Sequence, residues 1–348
     1  MTTLAVLAIV AVCFVVLFDY TNGFHDASNI IATVIASRAM TPIQAVIVVA
    51  IFEFLGPVLG GTAVANTIGK FVELDSLDPI LAVTVTLCGI VGAIVWNLGT
   101  WAAGIPSSSS HALVGGLIGA VVVSAGPGNV MWGFHEFATT GHADGVTKVL
   151  MGLVLSPIIG FFVGFAIHRT MSRLLLRRAK PSVNTGLRRA QWVTSAWLAF
   201  SHGANDAQKS MGIITMVLLL GGFIKDFTVP FWVILTCATA ITCGILSGGW
   251  RIVRTVGFGI YKVRPLHALD AQLTSAAVIY VATMLSAPVS TTHVVSSSIM
   301  GIGASEHPKW VRWTKAREIL TTWVVTIPGA AIVSIVAYFL VRLVTSAF

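Results

Sequence analysis

Six stretches of this chain, Thr2–Phe18, Pro79–Ile105, Val149–Ile167, Phe227–Trp250, Ala271–Ala304 and Ile319–Val341, contain no Asp, Glu, Lys or Arg. About 20 apolar residues cross the hydrocarbon core of a bilayer, so several of these runs are predicted to be membrane spans. Inside lipid, every backbone N–H and C=O must be paired within the protein. The runs lack the period-2 alternation of a barrel strand, which leaves helices. The expected fold class is therefore all-α, a polytopic membrane helix bundle of about ten to twelve segments. Charged side chains make up only 10% of the 348 residues, against roughly 25% in an ordinary soluble domain, which excludes a water-soluble globule.

The remaining composition adds little chemistry. A formal net charge of +8 would suit a nucleic-acid partner, but the basic residues gather in a few stretches between the apolar runs, as membrane orientation demands, and nucleic acid is not implied. Cys13, Cys88, Cys237 and Cys243 all lie inside apolar runs without ligand spacing and read as packing residues. Thr2–Phe18 lacks a basic leader and a small-residue cleavage site, so it is read as the first span rather than a signal peptide.

The chain repeats itself about its most basic segment. Arg169–Arg189 carries seven basic residues and no acid, which assigns it to the cytoplasm as a loop. "GFHDASN" (Gly23–Asn29) precedes it and "GANDAQK" (Gly203–Lys209) follows it. "PSSSSH" (Pro106–His111) and "PVSTTH" (Pro288–His293) form a second pair in the same order. The charges of the connecting segments reverse between the copies. Ala63–Asp78 holds one Lys and three acids, whereas its counterpart Arg251–Leu269 holds four basic residues and no acid. Ala125–Lys148 has one Lys and two acids, whereas Gly303–Arg317 has four basic residues and one acid. Equivalent segments on opposite membrane faces mean inverted repeats, expected at 1–168 and 190–348 about a loop at 169–189, with both chain ends outside. Secondary transporters use this architecture and bind substrate near the midplane, where the repeats meet.

Within the apolar sequence stand His25, Asp26, Glu53, His111, Asp206, Lys209 and His293. Each is costly in lipid and must face protein or water. Asp26 matches Asp206 and His111 matches His293, which favours one symmetric site over separate packing roles. In both hydroxyl-rich motifs a proline opens a polar cluster inside an uncharged run, as in a broken helix, where proline fits the first turn. Ser107, Ser108, Ser109 and Ser110, with Ser290, Thr291 and Thr292, would then sit at helix N-termini, whose free N–H groups and positive dipole ends favour an anion. Lys209 adds a fixed positive charge that either pairs with Asp206 or turns to the anion. Asp26 and Asp206 are the natural cation ligands, with the Asn22, Asn29 and Asn205 oxygens, and a Na⁺ there would offset the anion's charge. An intramembrane hydrolase using a serine and His111 is disfavoured: the hydroxyl-plus-His group occurs twice and no G-x-S-x-G elbow accompanies it.

These motifs, "GFHDASN", "SHGANDAQKSMG" and the two P-x-S-[ST]-[ST]-H tips, resemble those of the inorganic phosphate transporter (PiT) family over essentially the whole chain. The resemblance implies symport of inorganic phosphate with H⁺ or Na⁺ across the cytoplasmic membrane, no cofactor, and in many members a homodimer. It also implies that Asp26, Asn29, Asn205 and Asp206 belong to the ion and substrate site, with Ser107–Ser110 and Ser290–Thr292 at the anion. Two departures stand out. His25 replaces the family's usual Asn, and Gln272 stands where many members place a Glu. Both remove cation ligands, and a histidine can take up and release a proton where Asn cannot, so H⁺ is the expected coupling ion. Sulfate, carried by some bacterial relatives, is the alternative anion, and Na⁺ the alternative cation.

Overall fold

The computed structural model describes residues 2–346 except 70, 73, 75, 76, 176–180, 249–251 and 254. Its α-helices are α1 (Thr3–Ala36), α2 (Pro42–Leu59), α3 (Ala63–Gly69), α4 (Pro79–Ala102), α5 (Ser109–Ala125), α6 (Phe134–Thr140), α7 (Gly145–Leu175), α8 (Pro181–Leu220), α9 (Phe231–Ser247), α10 (Pro265–Met284), α11 (Thr291–Glu306) and α12 (Trp313–Ser346). Local chemistry sets several starts. Thr41 caps α2 through a reciprocal pair with Gln44, ahead of Pro42 in the first turn. Asp78 caps α4 by accepting the N–H groups of Ile80 and Leu81.

Five helices, α1, α2, α4, α7 and α12, are long and apolar enough to cross a membrane. The apolar helices α5 and α9 have 17 residues each, too few for a full untilted span. α8 and α10 bury polar side chains along much of their length. Of the expected ten to twelve segments, five are membrane-length by apolar run among the described residues, and shorter or more polar helices lie between them. The difference has a physical cause: segments that line a polar interior need not be apolar on every face.

The segments expected as loops are also more ordered than their composition suggests. Helix α7 runs through Arg169 and Arg173, and α8 already includes Arg188 and Arg189, so most of 169–189 is helical rather than loop. Long helices carry these charges beyond the apolar zone. Likewise α3 and α6 occupy parts of Ala63–Asp78 and Ala125–Lys148.

Helix packing follows the internal sequence correspondence. Exchanging α1 with α8, α2 with α9, α4 with α10, α5 with α11 and α7 with α12 turns the α2–α8 contact into α9–α1. It turns α5–α12 into α11–α7, and α4–α12 into α10–α7, and all of these contacts occur. Helices on either side of the basic segment therefore pack extensively against one another. The two motif glycines show why they cannot be larger. A Cβ on Gly23 would lie 2.0 Å from the Ile241 carbonyl oxygen, and one on Gly203 would lie 2.3 Å from that of Glu53. Backbone-to-backbone approach of this kind is how helices gain contact where lipid supplies no hydrophobic drive.

Candidate anion and cation site

Two interrupted helices point their N-terminal ends at each other. Ser108 caps α5 and Ser290 caps α11. Their hydroxyl oxygens accept the backbone N–H of His111 at 3.2 Å and of His293 at 3.4 Å. Pro106 and Pro288 precede these caps by two residues and do not lie in the first turn, contrary to expectation. Their effect is exerted backwards: a proline disfavours the helical conformation in the residue before it, which keeps Ile105 and Ala287 out of a continuing helix. The tips touch where Ser110 Oγ donates to the Val289 carbonyl at 3.2 Å. Behind them the His111 and His293 rings lie 4.5 Å apart, and His293 stacks on Trp323 at 3.7 Å. Thr291 Oγ1 and His293 Nε2 are buried without a hydrogen-bond partner.

Beside the tips, two buried carboxylates have different partners. Asp26 Oδ1 accepts from His25 Nδ1 at 2.8 Å, Asn29 Nδ2 at 3.1 Å and Thr292 Oγ1 at 3.0 Å. Asp26 Oδ2 accepts from Ser109 Oγ at 3.1 Å. Four donors fill the acceptor capacity of an ionised carboxylate. Asp206 Oδ1 takes Lys209 Nζ at 2.6 Å, and its Oδ2 takes Asn22 Nδ2 at 3.4 Å. Lys209 also donates to Ser110 Oγ at 2.5 Å and to the Val289 carbonyl at 2.9 Å. All three of its protons are engaged, so it pairs with Asp206 and binds the two tips together.

The predicted hydroxyls divide by task. Ser108 and Ser290 cap helices, Ser110 bridges Lys209 to the second tip, and Ser107 contacts His25 Nε2 at 3.2 Å. Ser109 and Thr292 are turned to Asp26. Thr291 alone of the seven keeps a buried, unpartnered hydroxyl. Asn205 holds the approach to the second tip, donating to Thr283 Oγ1 and the Ala287 carbonyl and accepting from Val289 N–H at 3.3 Å. Each motif also reaches across to the other copy's tip: Asn29 donates to Thr292 at 2.8 Å, as the equivalent Lys209 donates to Ser110.

One central residue escaped the sequence reading. His202 donates from Nδ1 to Glu53 Oε1 at 2.6 Å, and its Nε2 lies 3.6 Å from Asp206 Oδ2 and 4.0 Å from Asp26 Oδ2. It therefore stands among three carboxyl groups. Its counterpart in the first motif is Asn22, so a search for repeated ionisable residues passed over it. Its place one helical turn before Asp206 was the available signal. Asp26, His202 and Asp206 offer ligand atoms within 4.8 Å of one another. The unpartnered acceptors Asn22 Oδ1 and Asn29 Oδ1 belong to the same motif, and oxygen-rich surroundings of this kind suit a hard monovalent cation or a proton.

Ser108 Oγ and His111 Nδ1 are 2.8 Å apart, a distance seen in nucleophile–base pairs. The serine is occupied as a helix cap, however, and the ring faces His293 rather than an orienting carboxylate. A polar interior of opposed helix tips and paired ionisable groups, enclosed by apolar helices, defines a multi-pass membrane transport protein rather than an enzyme.

Comparison with known proteins narrows the class. Residues 22–334 match the model of the phosphate transporter family. The chain is 42% identical to a probable low-affinity inorganic phosphate transporter of Bacillus subtilis (strain 168), over 99% of this chain and 100% of that protein. It is 40% identical to the protein of the same description from Rhizobium meliloti (strain 1021), over 94% of each. A solved structure described as the sodium-dependent phosphate transporter has the same fold, with a TM-score of 0.84 over 97% of this chain and 99% of its own, at 24% identity. The chain belongs to the phosphate transporter family.

Proposed function

We infer that this protein is a symporter, made of two inverted repeats, that moves inorganic phosphate across the cytoplasmic membrane together with a cation, H⁺ in the first instance. The observation that carries this reading is the pair of hydroxyls, Ser109 and Thr292, that leave opposite helix tips to donate to one carboxylate, Asp26. While Asp26 is ionised, both O–H groups are committed to it. A proton or cation on Asp26 weakens its demand for donors and releases the hydroxyls towards an anion held between the tips. Anion binding and cation binding are then linked, and by reciprocity each strengthens the other. The unpartnered Thr291 hydroxyl supplies a further donor, and helix N-termini such as these two tips favour an anion.

Phosphate is favoured over sulfate by the company the chain keeps: relatives sharing 40% and 42% of its residues bear the description of low-affinity inorganic phosphate transporters. The two-way correspondence of helix contacts and the reversed charges of equivalent segments support the inverted arrangement. His25 favours H⁺, because an imidazole, which can carry a proton where an amide cannot, hydrogen-bonds Asp26 directly. Na⁺ remains the second reading on a specific ground: Asp26, Asp206 and the Asn22 and Asn29 oxygens would serve it equally well. Labelled-phosphate uptake into proteoliposomes under imposed H⁺ or Na⁺ gradients, with sulfate as competitor, tests each part.

A further inference from the structure

Far from the paired tips, the ends of α7, α10 and α11 bring together a second set of ligating side chains. His168, His267 and Glu306 present atoms within 4.8 Å of one another, on three different helices. We propose that they form a binding site for a transition-metal dication of the Zn²⁺ type, independent of the transport site.

The strongest ground is the support behind His168. Its Nδ1–H donates to Asp270 Oδ2 at 2.6 Å, which leaves the Nε2 lone pair for a ligand. A carboxylate behind an imidazole is the usual outer-shell partner of a metal-bound histidine; it fixes the tautomer and raises the ring's basicity. Asp270 is fully buried and its Oδ1 has no hydrogen-bond partner. A buried carboxylate so sparsely paired is costly unless positive charge stands nearby, and a dication on the far side of the ring provides it.

The other two ligands meet the same demand. His267 Nε2 lies 2.9 Å from Glu306 Oε2, and the His168 and His267 rings meet edge-on at 4.9 Å. A metal would replace the proton shared by His267 and Glu306. The His267 proton would then sit on Nδ1, which faces the Arg264 N–H at 3.1 Å, while the Lys262 carbonyl also interacts with the ring. The Arg264 amide must yield and the carbonyl becomes the acceptor. Ser172 Oγ, 3.1 Å from His168 Nε2, yields in the same way. Glu306 keeps Tyr261 as a donor at 2.6 Å, and Arg264 stands 3.5 Å from its other oxygen. Two imidazoles and a carboxylate fill three corners of a tetrahedron and leave the fourth to water or a small ligand. Because α11 carries Thr291 and Thr292 at one end and Glu306 at the other, an ion here would tie the far end of the second tip helix to α7 and α10.

The test is titration of the tag-free, detergent-purified protein with Co²⁺, read by its visible absorption, and with Zn²⁺, read by equilibrium dialysis and elemental analysis. One equivalent is expected, with intense tetrahedral Co²⁺ bands. His168→Ala, His267→Ala and the isosteric Glu306→Gln should each weaken binding at least tenfold, whereas His202→Ala should retain the equivalent. Circular dichroism identifies any variant that does not fold, and Glu306→Gln carries the test in that event. Absence of bound metal in the wild type, unchanged binding in Glu306→Gln, or loss of binding in His202→Ala would each overturn the site.

Discussion

Thr292 Oγ1 donates to Asp26 Oδ1 at 3.0 Å across a separation of 266 residues, joining the second helix tip to the carboxylate of the first motif. Ser109 makes the matching contact from the first tip. If these hydroxyls couple anion to cation, Thr292→Val and Ser109→Ala should each impair phosphate binding and its dependence on the cation together. Leaving a charged acceptor short of one buried donor costs about 1.5–3 kcal/mol, roughly a ten- to hundredfold change in affinity. Isothermal titration of purified protein with phosphate at two pH values reads both quantities. Loss of affinity with an unaltered pH dependence would separate binding from coupling and remove Asp26 from the link.

Thr291 offers the cleanest test of the anion donors, because its hydroxyl is buried and has no partner within the protein. Thr291→Val should leave thermal stability unchanged and weaken phosphate binding by about 1–3 kcal/mol. Ser108→Ala is a poorer probe, since it also deletes the cap of α5, worth about 0.5–2 kcal/mol. Phosphate affinity of Thr291→Val equal to that of the wild type would show that this hydroxyl does not face the anion.

Gly23 and Gly203 predict a structural effect distinct from chemistry. A methyl group at either meets a carbonyl oxygen at 2.0 or 2.3 Å, so Gly23→Ala or Gly203→Ala must push α1 from α9, or α8 from α2. Overpacking of this sort costs about 1–3 kcal/mol. A lower unfolding temperature in detergent is expected for both, and wild-type stability in either would show that the helices separate at little cost.

His25 bears on which cation is used. It hydrogen-bonds Asp26 through Nδ1 and Ser107 through Nε2, so protonation of the ring removes the acceptor for Ser107 and strengthens the charge pairing with Asp26. His25→Asn replaces a titrating group with an amide. Initial uptake rates should then vary less with pH, and a response to Na⁺ should appear. Identical pH profiles for mutant and wild type would assign the proton elsewhere, with His202 the next residue to test.

Much of the candidate site was legible in the sequence because its motifs are written twice. The repeated motifs identified Asp26, Asp206, His111, His293 and both hydroxyl clusters, and the helix breaks at Ala102 and Met284 followed from Pro106 and Pro288. Sequence could not apportion the hydroxyls, because which way Ser109 or Thr292 turns depends on a carboxylate more than eighty residues away in the chain. Nor did it single out Glu53 as the partner of His202, a pairing that exists only where α2 crosses α8. Hydropathy and length alone mark only five of the helices as membrane-length among the described residues, for a related reason. α8 and α10 bury polar side chains along much of their length, which lowers the hydropathy signal such helices give.

Orientation can be tested without any transport assay. Single cysteines placed in Ala63–Asp78 and in Gly303–Arg317 should react with impermeant maleimide from opposite faces of the membrane, because those segments carry opposite charge. Labelling of both from one face would contradict the inverted repeats.

The central claim is that a cation on Asp26 drives phosphate uphill. It is tested most directly by uptake of labelled phosphate into proteoliposomes under an inward proton gradient, comparing the wild type with Asp26→Asn. The wild type should concentrate phosphate and lose the accumulated pool when the gradient is collapsed, while Asp26→Asn, lacking the charge that the cation must neutralise, should reach no more than equal concentrations on the two sides. Accumulation by Asp26→Asn at the wild-type level, or wild-type accumulation indifferent to both H⁺ and Na⁺ gradients, would contradict it.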